Sequence, residues 1–332
     1  MKKVYIIAEA GVNHNGNLDL AKQLIDAAAK AGADAVKFQS FKADNLCTSK
    51  APKADYQIIH DTQSTSQLDM LRRLELSLDD QMILYHYAIK KGLDFLSTPF
   101  DIESAQFLNT LNLKYMKIPS GEITNYPYLR EIASYKKPII LSTGMCTLDD
   151  VKTAITTLQS FGTSLKNIIL LHCTSEYPAP LENINLNAML KMKKEFGVEI
   201  GYSDHTQGIE ISIAAVALGA TVIEKHFTLD KNLPGPDHQA SLNPLELTNM
   251  ISSIRNIEKA MGNPQKSPSS NELLIANNVR KSIVAAQNIT SGEKFTEHNL
   301  TTKRPGTGLS PMKWNEIIGT LSLKNYKKDD QI

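Results

Sequence analysis

The chain is 332 residues long and 42% hydrophobic, with 36 Lys and Arg against 35 Asp and Glu for a formal charge of +1. That balance argues for small-molecule partners, with no nucleic acid and no membrane, because those surfaces need a clustered excess of positive charge. The length suits one large domain of about 250 residues and a small second one, since single cores stop growing near that size. Cys47, Cys146 and Cys173 have no metal-type spacing, and the apolar run after Lys3 meets Glu9 too early for a secretion signal. The expected setting is the cytoplasm, with reduced thiols.

Taken in order, VYIIAEAG from Val4 reads as a strand and Leu18 to Ala31, with Ala-rich 3.6 spacing, as its helix. AVKFQSF from Ala35 is a second strand. The segment from Lys42 to Gln67 is too polar and irregular for the frame and is expected as a long loop over the strand ends, with the next helix from about Leu78 to Lys91. DFLSTPF, YMKIPSGE, PIILSTGM, IILLHCTSEYP, EIGYSDH and TVIEKHF follow as six more strands, each with a helical stretch behind it. Eight β/α units before a last helix ending near Met261 predict an α/β fold of the TIM (β/α)8 barrel class. GNPQKSPSSNE then reads as a linker, and short segments with turn residues between them as a small second domain. The expected division is 1–262, barrel; 263–278, linker; 279–332, small domain.

Polar residues close each apolar run: Glu9, Lys37 with Gln39, Ser97-Thr98, Lys117 with Ser120 and Glu122, Ser142-Thr143, His172 with Thr174, Ser203 with His205, Glu224 with His226. A barrel gathers such strand ends on one rim, so these clusters describe one ring-shaped site. Lys37 and Lys117, among hydroxyls at Thr98, Ser120, Ser142 and Ser203, suit an anion carrying phosphate and carboxylate. The reading of either lysine as merely paired with Glu9 or Glu122 stays open. His205 and His226 suit a divalent metal, with Glu9 or water completing its shell. His14, beside Asn-Gly, reads as a turn residue and His172 as a core one.

The strings AEAGVNHNG, KFQSFKA, STPFD, KIPSGEITNYPYL, ILSTGM, LLHCTSEYPAP, GYSDHT, EKHFTLD and GPDH, with KRPGTG near the C-terminus, closely resemble the sialic acid synthase family over essentially the whole chain. The resemblance implies condensation of phosphoenolpyruvate with an N-acetylated mannose-type sugar to give a nonulosonic acid and phosphate by C–O cleavage. It implies a divalent metal, Mn²⁺ or alternatively Mg²⁺ or Co²⁺, and a C-terminal domain like type III antifreeze proteins (a SAF domain) that covers the partner's barrel in a domain-swapped homodimer. By motif it assigns His205 and His226 to the metal, and Lys37, Thr98, Lys117, Ser120, Ser142 and Ser203 to phosphoenolpyruvate. Glu9, Gln39, Glu122, Tyr177 and Asp237 fall around the sugar, with Arg304 reaching its acetamido group from the other subunit. Glu9 or Glu122 would move protons. Ser175 stands where some members have Asn, so an amide contact to phosphate there is not carried over.

Two other readings fit parts of the pattern. One is a Schiff-base aldolase or lyase using Lys117, which needs no metal; the other is a non-catalytic carbohydrate- or ice-binding protein, which has no use for a rim of charged strand ends. Within the family, AEAGVNHNG and KFQSFKA look more like legionaminic acid synthases, which take 2,4-diacetamido-2,4,6-trideoxymannose, than N-acetylneuraminate synthases, which take N-acetylmannosamine. The residues that decide are expected between Lys42 and Gln67 and around Tyr177.

Overall fold

The alternation of apolar runs and amphipathic stretches closes into a ring. The protein, described by a computed structural model at residues 2–54, 57–58, 61 and 64–332, divides into two compact units, Met1–Gly262 and Asn263–Ile332. In the first, β1 (Tyr5–Gly11), β2 (Ala35–Ser40), β3 (Asp94–Pro99), β4 (Met116–Ile118), β5 (Ile139–Ser142), β6 (Ile168–His172), β7 (Glu199–Asp204) and β8 (Val222–His226) are parallel, in the order β3-β2-β1-β8-β7-β6-β5-β4. The end strands β3 and β4 lie side by side, which closes the barrel.

The helices whose full span is described in this unit are α1 (Leu18–Ala31), α2 (Ala43–Leu46), α3 (Gln67–Leu74), α4 (Leu78–Lys90), α5 (Ile102–Thr110), α6 (Tyr126–Ser134), α7 (Leu148–Ser160), α8 (Asn187–Phe196), α9 (Glu210–Ala217) and α10 (Pro244–Ala260). Their ends follow local chemistry. The Asn17 side chain accepts from the Asp19 and Leu20 backbone N–H groups to start α1, and Gly32, at φ 84°, ends it in a left-handed conformation that a side chain would strain. Asn243 and Glu246 form a capping box at α10, with Pro244 in its first turn.

Strand periodicity sorts the side chains. Ile6 and Ala8 point out to the helices, in a core shared with Leu24, Ile25 and Ile254. Ile7, Ala35, Leu96, Ile140, Ile169, Leu171 and Val222 point in and form an apolar plug. Two residues further along the same strands, on the same inward face, come Glu9, Lys37, Thr98, Ser142 and Glu224. Strand register then sets neighbours: Glu9 is level with Lys37 on one side and His226 on the other, and Ser203 with Glu224. Each large apolar side chain buried in plug or shell stabilises the fold by roughly 1.5–3 kcal/mol, which offsets the cost of burying the charged layer above.

Two stretches differ from expectation. The segment expected as a long loop contains α2, and the helix α3 begins at its end, capped by Ser66 and burying Leu68, Met70 and Leu74; the loop reading also falls partly on residues 55–56, 59–60 and 62–63, outside the described ones. Eight residues are too short a window for helical periodicity to stand out beside a polar run. The stretch 263–278 holds most of α11 (Ser270–Val279), started by a Ser269–Glu272 capping box. The second unit pairs β9 (Ser282–Ala285) with β10 (Leu300–Lys303) antiparallel around Ile283, Ile289, Phe295 and Leu300. Among the described residues no helix is long and apolar enough to cross a membrane.

Candidate active site

The upper layer of the barrel is a charge cluster. Lys37 Nζ lies 2.8 Å from a Glu9 carboxylate oxygen and donates to Thr98 Oγ1 at 2.8 Å. Lys117 Nζ donates to Ser142 Oγ at 2.7 Å and to the Ile118 carbonyl at 3.1 Å. Glu224 sits between the lysines, 3.7 Å from Lys37 and 3.9 Å from Lys117, and accepts from Ser203 Oγ at 3.0 Å. All four charged side chains are buried.

Burial and neighbours pull their protonation apart. Burial drives Glu9 up to about 7, although Lys37 opposes it. Burial would raise Glu224 too, but Lys117 and Lys37 together hold it below the ordinary carboxylate value. Burial would lower Lys37, but Glu224 and Glu9 outweigh it and hold it above its usual value. Lys117 is pushed down, first by burial, with the Lys37 charge adding to it and Glu224 opposing. With Glu9 drawn towards its neutral form, the two lysines stand against one firm carboxylate, Glu224. Lysines outnumbering the firm carboxylate, in a cavity lined by hydroxyls, are what a small anion needs.

His205 and His226 stand beside this cluster, ring centroids 5.5 Å apart, with the Tyr177 ring 4.2 Å from the first and 5.8 Å from the second. Burial lowers both imidazoles, His226 well below its ordinary value, so each is neutral. His205 Nδ1 lies 2.6 Å from the Thr174 carbonyl, which can only accept, so this nitrogen carries the proton and Nε2 keeps its lone pair. His226 Nδ1 is buried with no hydrogen-bond partner among the described residues, 3.8 Å from an Asp237 carboxylate oxygen. Burial pushes Asp237 up to about 6. No three or more His, Cys, Asp or Glu side chains among the described residues group as a metal shell. Two neutral imidazoles with a free lone pair and an unpaired nitrogen nonetheless match the donor set that a divalent ion takes in an open site, where waters and substrate oxygens supply the rest.

A cavity of about 460 Å³ brings together Glu9, Lys37, Gln39, Thr98, Lys117, Ser120, Ser142, Tyr177, Ser203, His205 and His226, eleven of the fourteen residues that the sequence singled out. Asp237 lines an adjoining chamber with His226 and Tyr177. Glu122, in a one-turn helix Ser120–Glu122, is outside the lining and accepts from Asn125 Nδ2 at 2.6 Å. Arg304 belongs to the second unit. His14 accepts from the Gly16 backbone N–H and His172 contacts the Ile184 carbonyl, as turn and core residues do.

Sequence reasoning gave no role to Glu224, which closes an apolar run like the others; its place between two lysines emerges only when β2, β4 and β8 meet. Ser175 also lines the cavity, and Gly144 makes room for it: a Cβ there would come within 2.2 Å of Ser175 Oγ and 2.9 Å of Ser120 Oγ.

Residues 24–266 match the NeuB family and residues 280–332 the SAF domain. The chain is 56% identical to the N,N'-diacetyllegionaminic acid synthase of Campylobacter jejuni, over all of this chain and 99% of that one. It is 50% identical to the protein of the same name from Legionella pneumophila, over 95% of this chain and 89% of that one. Among solved structures, the N-acetylneuraminic acid synthetase of Leptospira borgpetersenii superposes with a TM-score of 0.72 at 33% identity, over 82% of this chain and 90% of that one. With a barrel and a SAF domain matched in sequence and full-length relatives at half identity or more, this chain belongs to the NeuB family of nonulosonic acid synthases.

Proposed function

We propose that the protein condenses phosphoenolpyruvate with 2,4-diacetamido-2,4,6-trideoxymannose to give N,N'-diacetyllegionaminate and phosphate, with N-acetylmannosamine, the precursor of N-acetylneuraminate, a poorer acceptor. The observation that carries this reading is the joining, in one cavity, of two buried lysines among hydroxyls to two neutral imidazoles. The identities support the acceptor: 56% and 50% to proteins named for the diacetyl product, against 33% to one named for N-acetylneuraminate.

In this reading Lys37 and Lys117 hold the phosphate and carboxylate, with Thr98, Ser120, Ser142 and Ser203 donating to their oxygens. C3 of the enol phosphate attacks the sugar's C1 aldehyde, a C–C bond forms, water adds at C2, and the C2–O bond breaks to release phosphate. The lysines stabilise the charge on the departing group. His205 and His226 would hold Mn²⁺ or a similar divalent ion, Mg²⁺ or Co²⁺ among them, which supplies Lewis-acid polarisation of the sugar's carbonyl when bound. We assign proton transfer to Glu9 rather than Glu122. Glu9 lines the cavity, and a carboxyl titrating near 7 both takes and returns a proton at neutral pH. Gln39, Tyr177 and Asp237 would face the sugar, and Arg304 would bind its acetamido group from the partner subunit of a domain-swapped homodimer. The reaction would run in the cytoplasm, where the three free thiols stay reduced.

The test is phosphate release from phosphoenolpyruvate with Mn²⁺ and each sugar. Faster release with the diacetamido sugar is expected. Faster release with N-acetylmannosamine would change the acceptor, and release with neither would remove the reaction from this chain.

A further inference from the structure

Beside the reaction cavity, and sharing with it Gln39, Gln57, Gln67, Phe100, Tyr177 and His226, is a second chamber of about 320 Å³. Its far end is apolar. Val12, Phe41, Met70 and Leu74 form a small buried cluster of their own, and Leu46, Leu71 and Phe100 pack on it with part of their surface uncovered. The helices α2 and α3 build this wall, the pair that replaces the expected loop. Among the described residues no Lys or Arg lines the chamber, and its one carboxyl is Asp237, beside His226 at the entrance.

The lining that the two cavities share gives a direction. Under the proposed reaction, the carbon that forms the new bond must lie near both the lysine-bound enol phosphate and the two imidazoles. A six-carbon acceptor starting there continues past Tyr177 and His226, the shared wall, into the chamber, and its last carbon meets the apolar end. We propose that this chamber is the subsite for the distal half of the acceptor, and that Leu46 and Leu71 select a sugar whose sixth carbon is a methyl group over one that carries a hydroxyl or a phosphate there. The polar rim of Gln39, Gln57 and Gln67 suits amide groups, while among the described residues the Leu46 and Leu71 side chains offer a hydroxyl no partner, so a C6 hydroxyl against them is buried at a cost. A C6 phosphate would enter without a cation to meet it, near an acid.

This inference rests on the proposed function and is tested so that the two can fail separately. Wild type, Leu46→Asn and Leu71→Asn are assayed for phosphate release from phosphoenolpyruvate with two acceptors that differ at one atom: 2,4-diacetamido-2,4,6-trideoxymannose and its C6-hydroxyl counterpart. Wild type should prefer the methyl sugar in kcat/KM by roughly 10- to 100-fold, the range an apolar pocket gives against an added hydroxyl. Each Asn variant should bring the ratio towards one. Both rates come from the same preparation, so a partly unfolded variant lowers both and leaves their ratio meaningful. Turnover of the methyl sugar with no wild-type preference, or with the preference intact in both variants, overturns the subsite and spares the reaction. Absence of turnover with either sugar overturns the proposed function and the subsite with it.

Discussion

Lys37 has two duties at residue scale. It offers charge to an anion, and while no anion is bound it balances the buried Glu9 and Glu224 carboxylates. Removing one partner from a buried charged set costs about 3–5 kcal/mol, because the survivors stay desolvated and unmatched. Lys37→Met is therefore expected to lower the unfolding free energy from urea titration by that amount at pH 8 and to abolish phosphate release. The stability loss should shrink below pH 7, where Glu9 is neutral in the fold. A second residue sets an acid limit. Burial holds His14 down to about 4 against an ordinary 6.5, so its folded form stays neutral where its unfolded form is charged. That stability is complete above pH 6.5 and is lost as pH falls towards 4, up to about 3 kcal/mol. Urea midpoints measured from pH 7 to 4.5 should fall less steeply in His14→Asn than in wild type; equal slopes would mean that other groups govern the acid side.

At the scale of elements, the strands bearing the imidazoles are locked from behind. Asp204 and Lys225, each one position before a histidine, point out of the barrel and pair at 2.9 Å, both fully buried. Asp204 also accepts from the Thr206 backbone and hydroxyl and from Ser212 Oγ, and Lys225 donates to the Thr206 carbonyl. Lys225→Met should cost about 3–5 kcal/mol by stranding Asp204, whereas Asp204→Leu with Lys225→Met should recover much of that stability. If the lock also aims the imidazoles, calorimetric Mn²⁺ affinity should stay low in the double variant after stability returns. Sequence showed these strands well and the lock not at all. Apolar runs closed by polar residues mark a strand end, and that rule found ten of the eleven predicted residues that line the cavity, Tyr177 coming from the family resemblance alone. It is blind to outward side chains, whose partners are settled by the neighbouring strand. Glu224 it did mark as a strand end, but its role between two lysines depends on strands far apart in sequence, and α3 is a helix shorter than its own periodicity test.

For the whole molecule, the motifs revealed the family because most lie at one strand end each, but the proposed pairing of copies is written in no single stretch. The proposal that Arg304 completes a site on the partner's barrel makes a prediction that an independent chain would not. Lys37→Met disables a barrel and leaves Arg304 intact; Arg304→Ala does the reverse. In a mixed dimer of the two, one site combines the sound barrel of the second chain with the sound arginine of the first, and the other site has both defects. Mixed dimers, co-expressed with two different tags and purified through both, should therefore release phosphate at about half the wild-type rate per dimer, although each parent homodimer is nearly inactive. If Arg304 instead serves its own barrel, every site in the mixed dimer carries one defect and the rate stays at the parental level. The two arrangements differ by a large factor in one assay, and neither depends on which sugar the chamber prefers.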